Sequence, residues 1–258
     1  MRILNVKFDF NSFYRALDGK GSKLLFLDYD GTLAPFHAEP KLAFPYPGVL
    51  DILDEIITNA STRIVIISGR AIQDLQPLLG LEGKVEMWGT HGRERQLTDG
   101  TYQLAEITAE QKRGLGVGIA KVLALDPHVR AEPKPGAVAF HWRDLKVSRI
   151  LAIKEPMAIE LDKIAQDHQL VVKTFDGGLE LIAPDLDKGT AVREVLKEVN
   201  PDTTIAYLGD DLTDEDAFRE LKYKGLSVLV AGSIRGTQAE LWLRPPDELI
   251  WFLEKWKE

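Results

Sequence analysis

Short, almost wholly apolar runs alternate with segments of helical periodicity near both ends of this chain. Such runs are typical of strands buried on both faces of a parallel sheet, and helices between them indicate βαβ units. The predicted strands are 23–28, 63–67, 85–88, 204–208 and 226–230. The predicted helices are 48–60, 71–79, 188–199, 213–222 and 245–256. We therefore expect an α/β fold with a Rossmann-like parallel-sheet core.

The middle of the chain follows a different pattern. Helical segments at 109–125 and 147–166 alternate with two strand pairs. The first pair lies within 129–143 around Pro135-Gly136, and the second, 170–175 with 179–182, surrounds Asp176-Gly177-Gly178. Hairpins combined with helices predict an α+β insert. We expect a core domain of residues 1–108 and 184–258 and an inserted cap domain of residues 109–183.

Composition excludes several classes of function. Lys and Arg total 32 and Asp and Glu total 40, a net charge of −8, which argues against nucleic acid or an anionic membrane as the main partner. There is no cysteine, so disulfides, thiolate nucleophiles and cysteine-ligated zinc are excluded. Neither a signal peptide nor an apolar run of about 18 residues is recognisable. We expect a cytoplasmic monomer that acts on a small molecule, without nucleic-acid or membrane partners.

Acidic residues follow two of the predicted strands. In the sequence DYDGTL at 28–33, Asp28 and Asp30 are two residues apart, so their side chains point the same way from a strand end. Their mutual repulsion calls for a hard cation such as Mg²⁺. The sequence GDDLTDED at 209–216 follows another strand. Thr213 with Asp216 also fits an ordinary helix cap, whereas Asp210 needs another explanation.

Two weaker signals lie at other strand-to-helix junctions. Ser68-Gly69-Arg70 follows a predicted strand, where a hydroxyl and backbone N–H groups can hold a phosphate oxygen. Lys188 opens a predicted helix, where its charge opposes the helix dipole. Either it neutralises a phosphate or an acidic cluster, or it is an ordinary solvated lysine.

Together these motifs resemble the haloacid dehalogenase superfamily of phosphotransferases. The resemblance implies that Asp28 is the nucleophile, that Asp30 is the general acid and base, and that Ser68 and Lys188 bind the phosphoryl group. It also implies Mg²⁺ held by Asp28, Asp210 and the backbone carbonyl of Asp30. Asp211 and Asp214 are expected to support these ligands without binding the ion. The insert lies where this superfamily carries caps that close over the core and recognise the substrate.

The insert contains a candidate sugar-binding surface at 131–143. If its hairpin turns at Pro135-Gly136, Lys134 faces Ala137 and one face is polar while the other is apolar. The polar face comprises Glu132, Lys134, Ala137, Ala139, His141 and Arg143. The apolar face comprises Pro133, Val138, Phe140 and Trp142. The polar face could bind a polyol, and an ordinary solvent-facing surface is the alternative.

The wider pattern resembles the trehalose-6-phosphate phosphatase family. The matching segments are 89–92 (GTHG), Glu132-x-Lys134, His141-x-Arg143, 178–180 (GLE) and 209–218 (GDDLTDEDAF). The resemblance implies that Glu132, Lys134 and Glu180 bind the glucose ring distant from the phosphate. His141 and Arg143 match the family pattern, and Arg70 and His91 are expected near the core–cap junction as further substrate-binding residues. Trp88 and Ala183 depart from the pattern, since the family often has a small and a basic residue there.

The resemblance implies Mg²⁺-dependent hydrolysis of trehalose 6-phosphate to trehalose and phosphate through an aspartyl-phosphate. Three alternatives remain open at this point: a phosphatase of another phosphorylated disaccharide or glycosyl compound, such as sucrose 6-phosphate or a glycosyl-phosphoglycerate, a phosphosugar mutase, and a non-catalytic sugar-phosphate sensor. Retention of Asp28, Asp30, Lys188 and Asp210 argues against the sensor.

Overall fold

The computed structural model describes residues 1–37, 39–59, 62–143, 145–175 and 177–257. The predicted helix end at Ala60 and the predicted turn residue Asp176 lie outside these ranges. The chain divides into two compact units, one formed by Met1–Gln103 with Asp187–Glu258 and the other by Leu104–Leu186. The predicted borders of the insert, 109 and 183, lie a few residues inside those of the second unit.

The regular elements are as follows. The helices are α1 (Phe10–Leu17), α2 (Val49–Asn59), α3 (Ile72–Leu79), α4 (Ala109–Leu125), α5 (Val147–Asp167), α6 (Lys188–Leu196), α7 (Asp214–Leu221) and α8 (Asp247–Glu254). The strands are β1 (Arg2–Ile3), β2 (Lys23–Leu27), β3 (Thr62–Ile67), β4 (Glu86–Gly89), β5 (Glu94–Gln96), β6 (Tyr102–Leu104), β7 (Arg130–Lys134), β8 (Ala137–His141), β9 (Val171–Phe175), β10 (Gly178–Ile182), β11 (Thr204–Gly209), β12 (Leu226–Val230) and β13 (Leu241–Leu243).

The large sheet has the order β1-β13-β12-β11-β2-β3-β4-β5-β6. Its neighbours from β13 to β4 pair in parallel, whereas β1 and β5 pair antiparallel to β13 and β4. This arrangement confirms the predicted α/β fold with a parallel-sheet core. The predictions lacked α1, β1, β5, β6 and β13.

Alternate residues of the central strands enter two separate apolar cores, one on each face of the sheet. On β2, Leu25 and Leu27 belong to one core, whereas Leu24 and Phe26 belong to the other. The first core includes side chains from α1, α2, α3 and α8, and the second includes side chains from α6 and α7. Because both faces are covered, the central strands are apolar at nearly every position.

The second unit has a four-stranded antiparallel sheet of order β7-β8-β10-β9. Lys134 pairs with Ala137 across the turn, which confirms the predicted hairpin register. Val138 and Phe140 are buried in one core with residues of α4 and α5, as predicted for the apolar face. Pro133 pairs with Val138 and so lies on the predicted face. It does not pack in this core as expected, because it is exposed on β7 at the edge of the sheet.

The start of α7 differs from the predicted helix cap. Thr213 has helical backbone angles, and among the described residues its side chain makes no capping hydrogen bond. The side chain of Asp214 instead accepts hydrogen bonds from the backbone N–H groups of Asp210 and Asp211. The acids after β11 therefore organise the preceding loop rather than a helix cap at Thr213.

Within the described part of the chain, no helix combines the length and the apolar character needed to cross a membrane.

Candidate active site

Three adjacent strands end beside one another in the first unit. β11, β2 and β3 are parallel neighbours, and each is followed directly by one predicted site residue: Asp210, Asp28 and Ser68. Because the carboxyl ends of parallel strands lie at one edge of a sheet, these side chains come from the same edge.

Asp28 is buried and held at both carboxylate oxygens. Lys188 Nζ donates to Asp28 Oδ1 at 2.7 Å, and Thr32 Oγ1 donates to Asp28 Oδ2 at 2.9 Å. Lys188 is 3% exposed and also donates to Asp214 Oδ1 at 2.8 Å. Although burial opposes its charge, the charges of Asp214 and Asp28 raise the pKa of Lys188. The solvated-surface interpretation of Lys188 is therefore wrong.

Asp214 is fully buried and holds several groups in place at once. Its Oδ1 accepts hydrogen bonds from Lys188 and from the Tyr207 hydroxyl, the latter at 2.6 Å. Its Oδ2 accepts the backbone N–H groups of Asp210 and Asp211 at 3.1 and 3.0 Å. Asp214 thus supports Lys188 and the loop after β11. Sequence reasoning missed Tyr207, because a tyrosine in an apolar strand is typical of a core residue.

The carboxylates of Asp28, Asp210 and Asp214 lie close enough together to hold a metal ion, with one oxygen from each within 4.8 Å of the others. Gly31, with a φ of +83°, allows this approach, because a Cβ there would lie 2.0 Å from Asp210 Oδ2. Burial, with repulsion between the acids, raises the pKa values of Asp28 and Asp210.

This donor set fits a hard divalent cation, which prefers oxygen ligands and offsets the repulsion between carboxylates. Both oxygens of Asp214 already accept two hydrogen bonds each. The carboxylates of Asp28 and Asp210 therefore have the greater remaining capacity to bind an ion.

Asp30 forms a two-pronged ion pair with Arg70. Arg70 Nε and Nη2 donate to the two oxygens of Asp30, each at 2.6 Å. Arg70 Nη1 donates to the backbone carbonyl of Pro40 at 2.8 Å. This bidentate contact fixes the plane of the Asp30 carboxylate. Arg70, predicted to bind substrate, thus forms an ion pair with Asp30, the predicted general acid.

The loop after β3 contacts the turn after β4. Ser68 is 1% exposed, and its hydroxyl accepts the backbone N–H of Arg70 at 3.1 Å. His91 donates its backbone N–H to the carbonyl of Ser68 at 3.0 Å. Its ring covers Gly69, where a Cβ would lie 2.7 Å from His91 Cε1. His91 therefore lies beside the loop predicted to bind phosphate.

Arg235 supports the loop after β11, and sequence reasoning missed it. Its guanidinium donates to the backbone carbonyls of Asp210 at 3.1 Å and of Asp211 at 2.6 Å. It also pairs with Glu215 in the first turn of α7. Since the acceptors on Asp210 and Asp211 are backbone carbonyls, no side-chain pattern could have indicated this contact. Among the described residues, the side chain of Asp211 accepts one local hydrogen bond, from the N–H of Leu212.

In the second unit, the predicted sugar-binding residues form one cluster on the sheet. Ala139 pairs with Glu132 on one side and with Glu180 on the other, so these three residues lie in a row across β7, β8 and β10. Lys134 Nζ lies 3.2 Å from Glu180 Oε1 and 4.0 Å from Glu132 Oε1. His141 Nε2 lies 3.0 Å from Glu132 Oε2.

The cluster contains charged groups whose surroundings differ. The contact with His141, with a smaller effect from the charge of Lys134, lowers the pKa of Glu132 to about 2. Arg143 lies beyond the end of β8 and is exposed, and its side chain crosses Gly177, where a Cβ would lie 2.6 Å from Arg143 Nε. The cluster therefore carries fixed charges of both signs within a few ångströms.

Comparisons with known proteins agree with these observations. A family model described as trehalose-phosphatase matches residues 26–240. A trehalose-phosphate phosphatase from Mycobacterium ulcerans is 33% identical over 227 residues, covering 83% of this chain and 55% of the relative. The chain thus spans about half the length of the curated relatives it matches.

Two solved structures from Candida albicans share the fold. The C-terminal domain of its trehalose-6-phosphate phosphatase has a TM-score of 0.81 at 22% identity, covering 97% of both chains. The C-terminal domain of its trehalose synthase regulatory protein has a TM-score of 0.74 at 13% identity, covering 97% of this chain and 98% of the other. The match of the family model over most of the chain, together with the aspartate–lysine cluster at the strand ends, shows that this chain belongs to the trehalose-phosphatase family.

Proposed function

We propose that this chain is a Mg²⁺-dependent phosphatase that hydrolyses trehalose 6-phosphate to trehalose and phosphate through an aspartyl-phosphate on Asp28. The observation that carries the proposal is the buried contact of Asp28 with Lys188, beside Asp210 and Asp214. A carboxylate held in this way is suited to nucleophilic attack on a phosphoryl group.

In the first step, an oxygen of Asp28 forms a bond to phosphorus while the bond from phosphorus to the sugar oxygen breaks. Lys188 favours the ionised form of Asp28 against the opposing effect of burial and offers positive charge to the phosphoryl oxygens. Ser68, at the adjacent strand end, contributes a hydroxyl for the same group. Splitting hydrolysis into two displacements lowers the barrier of each.

Asp30 acts as the general acid in the first step and as the general base in the second. It donates a proton to the departing sugar oxygen and then takes one from the water that attacks the aspartyl-phosphate. This second attack releases phosphate and restores Asp28. The ion pair with Arg70 orients the Asp30 carboxylate.

Asp28 and Asp210, with the backbone carbonyl of Asp30, would hold Mg²⁺. When bound, the ion supplies positive charge that neutralises the phosphoryl oxygens and orients them toward Asp28.

We further propose that the second unit acts as the cap domain and binds the sugar. Glu132 and Glu180 offer acceptors to sugar hydroxyls and Lys134 offers donors, while His141 and Arg143 border the cluster. The row formed by Glu132, Ala139 and Glu180 supports this assignment, because it brings two carboxylates to either side of the Lys134 ammonium on one face of the sheet.

The alternatives differ in what they require. A sensor has no need of a nucleophile, although a C. albicans protein named as regulatory shares the fold. Asp28, Asp30, Lys188 and Asp210 are all present here, which favours an enzyme. The same core residues would serve a phosphatase of another phosphorylated disaccharide or a phosphosugar mutase. Assays with several sugar phosphates therefore have to separate these enzymes.

The test is phosphate release from trehalose 6-phosphate, sucrose 6-phosphate, a glycosyl-phosphoglycerate and glucose 6-phosphate, with Mg²⁺ and with excess chelator. We expect the highest kcat/KM for trehalose 6-phosphate, with equal amounts of trehalose and phosphate, and no activity with the chelator. Preference for another compound would overturn the substrate, a rearranged sugar phosphate would indicate a mutase, and full activity in chelator would overturn the metal.

The cytoplasmic location and monomeric state stay predictions, as does the lack of nucleic-acid and membrane partners. Light scattering on the purified protein and fractionation of the source cells test them.

A further inference from the structure

The turn after β4 has an unusual backbone. Three successive residues have positive φ: Thr90 at 45°, His91 at 55° and Gly92 at 102°. Glycine adopts such angles readily, whereas a β-branched residue such as threonine rarely does. Such a conformation persists only where the surroundings hold it, and it occurs preferentially at functional sites.

The turn contacts the loop of Ser68, Gly69 and Arg70 at three successive residues. The N–H of Thr90 donates to the carbonyl of Arg70 at 2.8 Å, and the N–H of His91 donates to the carbonyl of Ser68 at 3.0 Å. The His91 ring lies against Gly69 between them. Two successive N–H groups of the turn thus donate to the same loop, so the path of this loop depends on the turn.

The buried carboxylate of Glu94 holds the turn. Glu94 is 3% exposed and Thr90 is 2% exposed. Thr90 Oγ1 donates to Glu94 Oε2 at 2.7 Å, and the N–H of Ile72, in the first turn of α3, donates to the same oxygen at 3.3 Å. The Tyr102 hydroxyl donates to the other oxygen at 2.9 Å. Glu94 thus ties the turn to the helix that follows the Ser68 loop.

We propose that Thr90 and Glu94 are positioning residues for the phosphate-binding loop. The Thr90–Glu94 hydrogen bond stabilises the left-handed turn, and the turn fixes the carbonyls of Ser68 and Arg70, and with them the Ser68 hydroxyl. Neither residue touches the substrate. This inference rests on the proposed function only in assigning phosphate binding to the Ser68 loop.

A pair of matched variants isolates the Thr90 hydroxyl. Thr90→Val and Tyr102→Phe each remove one hydroxyl that donates to the same carboxylate, but only Thr90 belongs to the turn. Thr90→Ser restores the hydroxyl without the methyl group. Thr90→Ala serves if Thr90→Val does not fold. The measurement is the affinity for inorganic phosphate with Mg²⁺ by titration calorimetry, beside thermal unfolding of each variant.

We expect Thr90→Val or Thr90→Ala to weaken phosphate binding by about 10- to 100-fold, since a hydrogen bond to a charged group is lost in a buried site. Thr90→Ser should remain within about 3-fold of the wild type, as should Tyr102→Phe. Glu94→Gln combined with Thr90→Ala should weaken binding no more than the more harmful single change, because both act through one contact.

Equal effects of Thr90→Val and Tyr102→Phe, or unchanged phosphate affinity in Thr90→Ala, would overturn the proposal. Lower melting temperatures with unchanged phosphate affinity would assign Thr90 and Glu94 to stability alone. A wild-type protein that binds phosphate but does not hydrolyse trehalose 6-phosphate would refute the proposed function while leaving this test valid. A wild-type protein that binds no phosphate would overturn this proposal, while the proposed function is decided by the hydrolysis of trehalose 6-phosphate.

Discussion

Three carboxylates lie around the ammonium of Lys188 at one edge of the large sheet; they belong to Asp28, Asp210 and Asp214. Lys188 contacts Asp28 and Asp214 directly. One positive charge against three negative ones leaves the cluster with excess negative charge, and burial makes this costly. The residues of the site therefore favour a bound cation over a metal-free state.

Replacing Lys188 by Met should harm both folding and activity. Since Asp28 and Asp214 then lack their shared partner, we expect the free energy of unfolding at neutral pH to fall by about 3–5 kcal/mol. Activity should fall by at least about 100-fold. The control is Lys197→Met, at the other end of α6, where an exposed pair with Glu194 contributes about 0–1 kcal/mol. Chemical unfolding and initial rates provide both numbers, and similar effects of the two variants would contradict the account.

Asp210→Asn should stabilise the metal-free protein. Burial, followed by the charge of Asp28, raises the pKa of Asp210, so its ionised form destabilises the fold at pH 7. The neutral amide removes this penalty, and we expect a higher melting temperature in chelator together with a smaller rise on adding Mg²⁺.

Asp211→Asn is the matched control, since Asp211 is exposed and, within the described part of the chain, its side chain accepts a hydrogen bond only from the N–H of Leu212. A melting temperature of Asp210→Asn that rises with Mg²⁺ as much as that of the wild type would exclude Asp210 as a ligand.

At the scale of elements, sequence analysis predicted the helices and strands that have a strong local hydrophobic pattern. β2, β3, β11 and β12 are continuous apolar runs, because both faces of the large sheet are covered. β5 (ERQ) is polar, and β1 has only two residues, so both depend on pairing that no local pattern shows. The same reason hid Thr90 and Glu94, whose role comes from backbone angles and a contact within a turn.

The contacts of Glu132 in the sheet of the second unit predict how its contribution to stability depends on pH. Contacts with His141 and Lys134 lower the pKa of Glu132 from 4.5 to about 2. A lowered pKa in the folded state contributes stability above about pH 4.5, and this is lost as pH falls toward about 2. The stability difference between wild type and Glu132→Gln should therefore shrink as the pH falls below about 4.5. Urea unfolding at several pH values measures it, and a difference that grows on acidification would contradict the assigned contacts.

At the scale of the whole molecule, we propose that chemistry and substrate recognition belong to two different units. The first unit carries the aspartates, Ser68 and Lys188. The second carries Glu132, Lys134 and Glu180 on an antiparallel sheet. The sequence indicated this division because the motifs lie on either side of the insert, whereas the role of each residue stays a proposal.

This division predicts that changes in the second unit depend on the substrate. Alanine at Glu132, Lys134 or Glu180 should lower kcat/KM for trehalose 6-phosphate by about 5- to 150-fold, since each lost partner costs about 1–3 kcal/mol. Hydrolysis of a small aryl phosphate, which has no sugar, should be nearly unchanged. Lys173→Ala, opposite Glu180 on β9, is the control. Equal losses on both substrates would assign these residues to folding instead of sugar binding.

The central claim is that Asp28 carries the phosphoryl group during turnover. Its most direct test is rapid acid quench of the protein reacting with trehalose 6-phosphate and Mg²⁺, followed by peptide mass spectrometry. We expect one phosphoryl group on the peptide that contains Asp28, formed and lost at rates consistent with kcat, and none in Asp28→Asn. Turnover without any phosphorylated peptide, or a phosphoryl group on another residue, would contradict it.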